Sequence, residues 1–233
     1  MMVDGVHFGD HLCVVALGIG IDGTKVPLAL VEGSTENTTT VTDLLVGMRE
    51  RGLDTSKPIL VGIDGAKALA AAVKRVFDHP VIQRCQLHKQ RNVTDRLPGD
   101  LGAVVGQRMP RADHPDTASA QLEALARALE RTHPGAAGSL REGLQETLTV
   151  LRLNVPPSLA RTLRSTTAIE SMISIARTHS RNVNNPAERE TRRGRFRRIN
   201  GHLHLATLRT ARNEQVAAMT VGAVSHDEPV IAA

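Results

Sequence analysis

Aromatic residues are scarce in this sequence, which contains three Phe and neither Trp nor Tyr among its 233 residues. Aromatic side chains bury the most area per residue, so a folded core has to be built mainly from Leu, Val, Ile and Ala. Cysteine is scarce too, since Cys13 and Cys85 are the only two. Two cysteines exclude a small scaffold held together by several disulfide bonds.

Long apolar runs are absent as well. The sequence has no stretch of about 18 consecutive apolar residues and no signal-peptide pattern, which predicts a cytoplasmic protein without a membrane partner. Hydrophobic residues still make up 41% of the chain. This content is sufficient for the core of one large domain or two small ones.

Positive charge is concentrated in one part of the chain. Residues 161–213 contain twelve Arg and only three acidic residues, whereas the net charge of the whole chain is +5. Such a block is typical of a surface that binds a polyanion, and equally of a solvated or disordered segment. On charge alone the two interpretations stay open.

The first part of the chain has the pattern of an α/β fold. The predicted elements in chain order are strands at 1–8, 11–19 and 25–33, a helix at 35–51, a strand at 58–63, a helix at 65–77 and a strand at 81–87. Asp22-Gly23 is a strong hairpin signal between the second and third strands. A right-handed crossover puts the fourth strand beside the first, so Asp4 and Asp64 are expected on neighbouring strands. This order is that of a ribonuclease H-like core, a mixed sheet with helices on both faces.

Helical patterns dominate after Leu97-Pro98. Residues 117–133 and 136–153 are predicted helices separated by prolines, and we interpret 98–160 as an all-helical insertion. A later helix-prone stretch, 165–183, has one apolar stripe with Glu170 at its edge.

Three carboxylates form a candidate metal site: Asp4 on the first strand, Asp64 at the end of the fourth and Glu170 in the late helix. Phosphoryl transfer on nucleic acid uses two divalent ions about 3.5–4 Å apart, and Mg²⁺ prefers oxygen ligands. Asp64 has a simpler interpretation, because Asp is also a good helix N-cap. Since the chain has 24 acidic residues, topology supports the Asp pair and spacing alone does not.

An ordered series of motifs runs through most of residues 3–183 and part of the tail. The motifs are VDGVHFGDHLCVVALGI, GSTENTTTVTDLLVGMRERGL, ILVGIDGAKAL, VIQRCQLHKQRNVTDRLP, SLREGLQETLTVLRL, LRSTTAIESMISI and FRRINGHLHL. In this order they closely resemble the mutator-type family of bacterial insertion-sequence transposases. Any one of these motifs is a weak signal, but the ordered series is highly specific.

The resemblance implies a function and a set of site residues. In this family an Asp-Asp-Glu triad on a ribonuclease H-like core cuts and rejoins DNA with Mg²⁺ or Mn²⁺, and two ions are expected. By motif the triad maps onto Asp4, Asp64 and Glu170. The implied partners are DNA, at the element ends and at the target, and further copies of the chain in a homodimer or higher oligomer. The implied location is the nucleoid.

The same resemblance divides the chain into four regions. Residues 1–97 are expected to form the first part of the catalytic core and 98–160 the helical insertion. Residues 161–183 are expected to complete the core, and 184–233 to form a basic C-terminal segment that is partly disordered.

Cys85 and His88 form the C-x-x-H pair that such transposases carry between the second Asp and the Glu. A zinc site needs four ligands and the sequence offers no second pair at suitable spacing, so we expect a structural role near the metal site. Thr166 and Thr167 are expected to cap the helix that carries Glu170. The residues expected to bind DNA are Lys89, Arg91, Arg177, Arg181, Arg192, Arg193, Arg195, Arg197 and Arg198.

Two departures from the family pattern predict an impaired enzyme. The chain starts almost on the first catalytic strand, where family members have a long N-terminal region that reads DNA ends. The segment NNPAERETRRG also stands where the family has a Trp-bearing stretch. We therefore expect a truncated, internally altered transposase. The alternatives are a non-enzymatic DNA-binding or oligomerising remnant and, more weakly, an unrelated α/β hydrolase.

Overall fold

The structure, a computed structural model, describes residues 1–8, 10–109, 114–180 and 198–224. The strands are β1 (Met2–Phe8), β2 (His11–Ile19), β3 (Lys25–Glu32), β4 (Ile59–Ile63) and β5 (Pro80–Arg84). The helices are α1 (Thr38–Glu50), α2 (Lys67–Val76), α3 (Gln86–Thr94), α4 (Gly99–Arg108), α5 (Pro115–Glu130), α6 (Pro134–Arg141), α7 (Leu144–Thr147), α8 (Thr149–Arg152), α9 (Pro157–Leu163), α10 (Thr167–Ser180) and α11 (Leu205–Val224). No helix within these described ranges is both long and apolar enough to span a membrane.

The strands form one mixed sheet in the order β3-β2-β1-β4-β5. β4 pairs parallel to β1, with Met2 opposite Gly62 and Val3 opposite Ile63. The predicted neighbourhood of the first and fourth strands is therefore confirmed. β5 extends the parallel part, and β1, β2 and β3 pair antiparallel.

The predicted hairpin between β2 and β3 is present. Asp22 accepts hydrogen bonds from the Thr24 backbone at 3.0 Å and from its hydroxyl at 2.5 Å. Gly23 takes a φ of +83°, a left-handed conformation that glycine adopts without a Cβ clash.

Each face of the sheet is covered by helices, because successive strand residues point to opposite sides. The α1–α2 face is the side packed on those two helices. Its buried residues from the sheet are Val3, Val14, Ala16, Val61, Ile63 and Ile82. The α10 face is the opposite side, packed on α9, α10 and the start of α11. Its buried residues from the sheet are Met2, Val6, Cys13, Val15, Leu17, Leu60 and Val81.

A third apolar cluster lies among α3, α4, α5 and α6. The single helix predicted over 136–153 is wrong, since the structure divides that range into α6, α7 and α8. Gly143 interrupts it with a φ of +59°, and a Cβ there would lie 2.4 Å from the Nε of Arg84.

The strand predicted over 81–87 is wrong at its end, because β5 ends at Arg84 and α3 begins at Gln86. The Cys85 N–H still bonds to the Ile63 carbonyl at 2.7 Å, while its own carbonyl accepts the first helical bond from Lys89. The C-x-x-H pair therefore lies across a strand-to-helix junction.

The chain from Ile199 to Val216 packs back onto the α10 face. Ile199, Leu205 and Leu208 are buried there, and the Ile199 N–H donates to the Gly23 carbonyl at 3.0 Å. Part of the predicted basic C-terminal segment is thus a folded component of the core. The four predicted region boundaries stay predictions.

Candidate active site

Asp4 is a buried carboxylate in the middle of β1. It is 2% exposed and lies between Met2 and Val6 on the α10 face. Its Oδ1 accepts a hydrogen bond from the Gly5 N–H at 2.9 Å, and it also accepts one from the Thr166 hydroxyl.

Asp64 lies immediately after β4, at the same level as Asp4. Since Val3 is opposite Ile63 in the parallel ladder, the next residues, Asp4 and Asp64, are opposite each other and share the α10 face. The helix N-cap is Ala66 rather than Asp64. The Oδ1 of Asp64 instead accepts from the Ala66 N–H at 2.7 Å, in a turn that precedes the helix.

The environment of Asp4 opposes its negative charge. Burial, with a smaller contribution from the charge of Asp64, raises the pKa of Asp4 to about 6 against the opposing effects of Thr166 and His88. A divalent cation beside both carboxylates would offset the burial and the repulsion together. Carboxylate oxygens are also the ligands that Mg²⁺ prefers, so this pair fits part of the predicted metal site.

Cys85 lies immediately after β5, at the same edge of the sheet as Asp64. Ile63 is opposite Arg84 in the ladder of β4 and β5, which places Cys85 next to Asp64. Burial raises the pKa of the Cys85 thiol, but hydrogen bonds with His88 and Thr166 outweigh it and hold the value below its usual range.

His88 lies one helical turn further along, in α3. Its hydrogen bond with Cys85, together with the charges of Asp4 and Asp64, raises the pKa of His88 to about 9. The imidazole is therefore charged at neutral pH. Its Nδ1 is buried, and none of the described residues is its hydrogen-bond partner.

Thr166 is a site residue that sequence reasoning treated only as a helix cap. It is 1% exposed and its hydroxyl bonds with Asp4 and Cys85, while its carbonyl accepts from Ile169 at 2.8 Å. The run Ser165-Thr166-Thr167 indicates a cap, and nothing local indicates partners more than eighty positions away.

Glu170 lies in the first turn of α10 with an exposed side chain. The charges that set the pKa of Asp4 include Asp64 and His88 but not Glu170. Across the described ranges no group of three His, Cys, Asp or Glu side chains is arranged to hold a metal ion. The structure thus brings the two aspartates together and leaves Glu170 at the surface.

The residues predicted to bind DNA have different environments. Lys89 is buried, and its Nζ donates to the carbonyls of Ser139, at 2.6 Å, and Glu142. A phosphate contact by Lys89 stays a prediction that requires these bonds to break. Arg91 is exposed on α3. Arg198 is exposed, with its Nη2 4.0 Å from the Asp22 Oδ2.

The remaining predicted DNA contacts are not described by the structure. The side chain of Arg177 lies outside the described residues, although its backbone belongs to α10. The residues that lie outside entirely are Arg181, Arg192, Arg193, Arg195 and Arg197.

Comparison with known proteins decides the family. A family model described as Transposase, Mutator family, matches residues 4–192. The chain belongs to the Mutator family of transposases. The resemblance predicted from the ordered motifs is confirmed, and the alternative of an unrelated hydrolase is excluded.

Curated relatives in this family are transposases of insertion sequences. The transposase for element IS6120 of Mycolicibacterium smegmatis is 30% identical over 200 residues, which cover 81% of this chain and 60% of that protein. The transposase for element IST2 of Acidithiobacillus ferrooxidans is 26% identical over 185 residues, covering 78% and 62%. The chain therefore spans about three fifths of the length of these two relatives.

A third relative shows the same pattern. The transposase for element ISRM5 of Rhizobium meliloti is 31% identical over 163 residues, covering 68% of this chain and 40% of that protein.

Proposed function

We propose that the chain is the catalytic part of an insertion-sequence transposase that cleaves and joins DNA strands. In this proposal Asp4, Asp64 and Glu170 form the triad of a ribonuclease H-like core. The observation that carries the proposal is the position of Asp4 opposite Asp64, on one face, at neighbouring parallel strands. The substrates are DNA at the element ends and at the target, bound by a homodimer or higher oligomer.

Two Mg²⁺ or Mn²⁺ ions would supply Lewis acidity for the phosphodiester and lower the pKa of the attacking water. Asp4 and Asp64 are the residues that would bind them. Thr166 orients Asp4 through a hydrogen bond, and the positive charge of His88 favours the ionised form of Asp4. Glu170 would complete the set if its side chain, exposed in this structure, turned towards Asp4.

The test is a strand-nicking assay on a supercoiled plasmid that carries the parent element's ends. Asp64→Asn should reduce Mg²⁺- or Mn²⁺-dependent nicking by at least about a hundredfold, because a displaced or missing ligand disrupts the reacting geometry. Asp54→Asn is the matched control, since the Asp54 Oδ1 accepts from the Ser56 N–H in a similar turn on the surface. Nicking by Asp64→Asn at the wild-type rate would contradict the proposal.

A specific observation also favours a second candidate, a non-enzymatic DNA-binding protein of this family. Glu170 is exposed, and the described residues contain no ready group of three ligands. In that case neither wild type nor Asp64→Asn nicks the plasmid, while both bind duplex DNA with an affinity that falls steeply with salt.

A further inference from the structure

One peptide unit beside the candidate site is held at both ends. The peptide that joins Gly65 to Ala66 donates its N–H to the Asp64 Oδ1 at 2.7 Å. The carbonyl of the same peptide accepts a hydrogen bond from the Arg84 Nη1 at 2.8 Å. Because a peptide unit is planar, a group that fixes the carbonyl also fixes the N–H, and with it the direction of the Asp64 carboxylate.

The guanidinium of Arg84 is itself fixed. Arg84 is 8% exposed, and its Nε donates to the Glu146 Oε2 at 2.6 Å. Glu146 also accepts from the Lys74 Nζ at 2.8 Å, and the Glu142 Oε1 lies 3.6 Å from the Arg84 Nη1. A planar guanidinium bound on two sides has little freedom to rotate.

The position of the Arg84 side chain requires a glycine in the loop between α6 and α7. Gly143, between α6 and α7, has a φ of +59°, and a Cβ there would lie 2.4 Å from the Arg84 Nε. The side chain therefore crosses from β5 to Glu146 directly past a residue without a side chain. Gly65 has a φ of +112° with open space around it. Glycine is therefore needed at this position only for its backbone conformation.

We propose that Arg84 is a positioning residue for Asp64 and is itself held in place by Glu146 of α7. The inference rests on the proposed function, because it assumes that Asp64 binds a metal ion. Arg84 acts through the Gly65–Ala66 peptide and does not touch the reacting atoms.

The first variant is Arg84→Lys, which keeps the positive charge. A single ammonium on a flexible stem does not reproduce the planar fork that joins Glu146 to the Gly65 carbonyl. Two readouts are used: Mn²⁺ affinity by electron paramagnetic resonance, and amide hydrogen exchange at Ala66 in the metal-free protein. We expect Mn²⁺ binding weakened about tenfold, as for partners of metal ligands, and faster exchange at Ala66.

Arg141→Lys is the matched control. Arg141 has a similar double ion pair, with Glu123 at 2.9 Å and Glu130 at 2.7 Å. It is the last residue of α6, and both of these partners belong to α5 rather than to the candidate site. Its Mn²⁺ affinity and its Ala66 exchange should equal those of wild type.

A second variant tests the same peptide without disturbing Arg84. Ala66 has a φ of −60°, which proline adopts without strain, and Ala66→Pro removes the N–H that binds Asp64. It should weaken Mn²⁺ binding to a similar extent, and it decides the question if Arg84→Lys does not fold. Wild-type Mn²⁺ affinity in either folded variant would overturn the inference.

Asp64→Asn distinguishes a failure of the role of Arg84 from a failure of the metal site. If it abolishes Mn²⁺ binding while folded Arg84→Lys and Ala66→Pro bind normally, only the role of Arg84 is overturned. If Asp64→Asn itself binds Mn²⁺ with wild-type affinity, the metal site of the proposed function fails, and the inference falls with it.

Discussion

The two faces of the sheet are built from alternate residues of the same strands, yet they differ in what they bury. The α1–α2 face is an apolar cluster of Val, Ala, Ile, Leu, Met and Phe side chains. The α10 face holds Asp4 among its apolar residues, with Thr166 and His88 as its partners. Burying a carboxylate opposes folding unless it is paired. The α1–α2 face therefore contributes apolar packing, while the α10 face gives up stability for a charged group.

Asp4→Asn should have the largest effect and should separate activity from stability. Loss of a ligand carboxylate is expected to reduce nicking by on the order of a thousandfold. Removing a buried charge that Asp64 repels should raise the free energy of unfolding of the metal-free protein by about 1–2 kcal/mol. Nicking assays and thermal unfolding in a chelating buffer measure the two effects. A variant that loses both activity and stability would break the comparison.

Leu45→Ala tests the α1–α2 face. Leu45 is fully buried, so its truncation should lower the free energy of unfolding by about 2–4 kcal/mol. The nicking rate per folded molecule should be unchanged, because the cavity lies on the side of the sheet away from Asp4. Urea unfolding and a rate normalised to the folded fraction check this. A large loss of rate would show that both faces support the site.

Thr166→Val should slow nicking by about tenfold, because it removes the hydroxyl that orients Asp4 while keeping the side-chain shape. Thr149→Val is its control. The Thr149 hydroxyl is buried and donates to the Ile82 carbonyl at 2.7 Å, outside the candidate site. The control should lose about 1–3 kcal/mol of stability with its rate intact. Equal rates in the two variants would remove Thr166 from the site.

The pH dependence of stability should show a contribution from Lys89. Burial lowers the pKa of Lys89 from 10.5 to about 8, with Arg84 acting in the same direction and Glu142 and Glu146 opposing it. Between these values the unfolded chain holds a proton that the folded protein has released, so stability rises with pH. Relative to Lys89→Met, wild type should gain stability from pH 8 to pH 10. If the free energy of unfolding, measured with urea, changed equally with pH in both proteins, the Lys89 amine would be exposed to solvent rather than buried.

The smallest expected effect is that of Arg91→Gln on DNA binding. An exposed arginine that contacts one phosphate contributes about 0.9 to the slope of log affinity against log salt concentration. Mobility shifts on a random duplex at several salt concentrations should show a slope shallower by that amount. Lys89→Met should leave the slope unchanged if its hydrogen bonds persist on DNA, and a shallower slope would show that they break.

The relation between Asp4 and Asp64 was predictable from the sequence. The handedness of a crossover sets the order of β1 and β4, and the two-residue period of a strand sets the face. Both are general rules that need only the positions of strands. The hairpin at Asp22-Gly23 and the extent of α1 follow from equally local signals.

Contacts between distant segments were not predictable in this way. The bond between Thr166 and Asp4 depends on how α10 is rotated on the sheet, which helix periodicity alone does not determine. The same rotation leaves Glu170 exposed. The role of Arg84 was not predicted because its partners, Gly65 and Glu146, belong to different segments. The helix break at Gly143 was not predicted for the same reason, since the Arg84 side chain lies where a Cβ of residue 143 would be.

Ile199, Leu205 and Leu208 pack in the same cluster as Met2. This contact determines when β1 can be buried during synthesis of the chain. A ribosome releases β1 long before it releases these three residues, so the strand that carries Asp4 cannot pack against them until they have been made. The α10 face closes only after residue 208 has emerged. Its contacts are therefore among the most non-local in the protein, and non-local contacts slow folding and prolong the exposure of apolar surface. The apolar residues of β1 on this face therefore stay uncovered by this segment until residue 208 has been made.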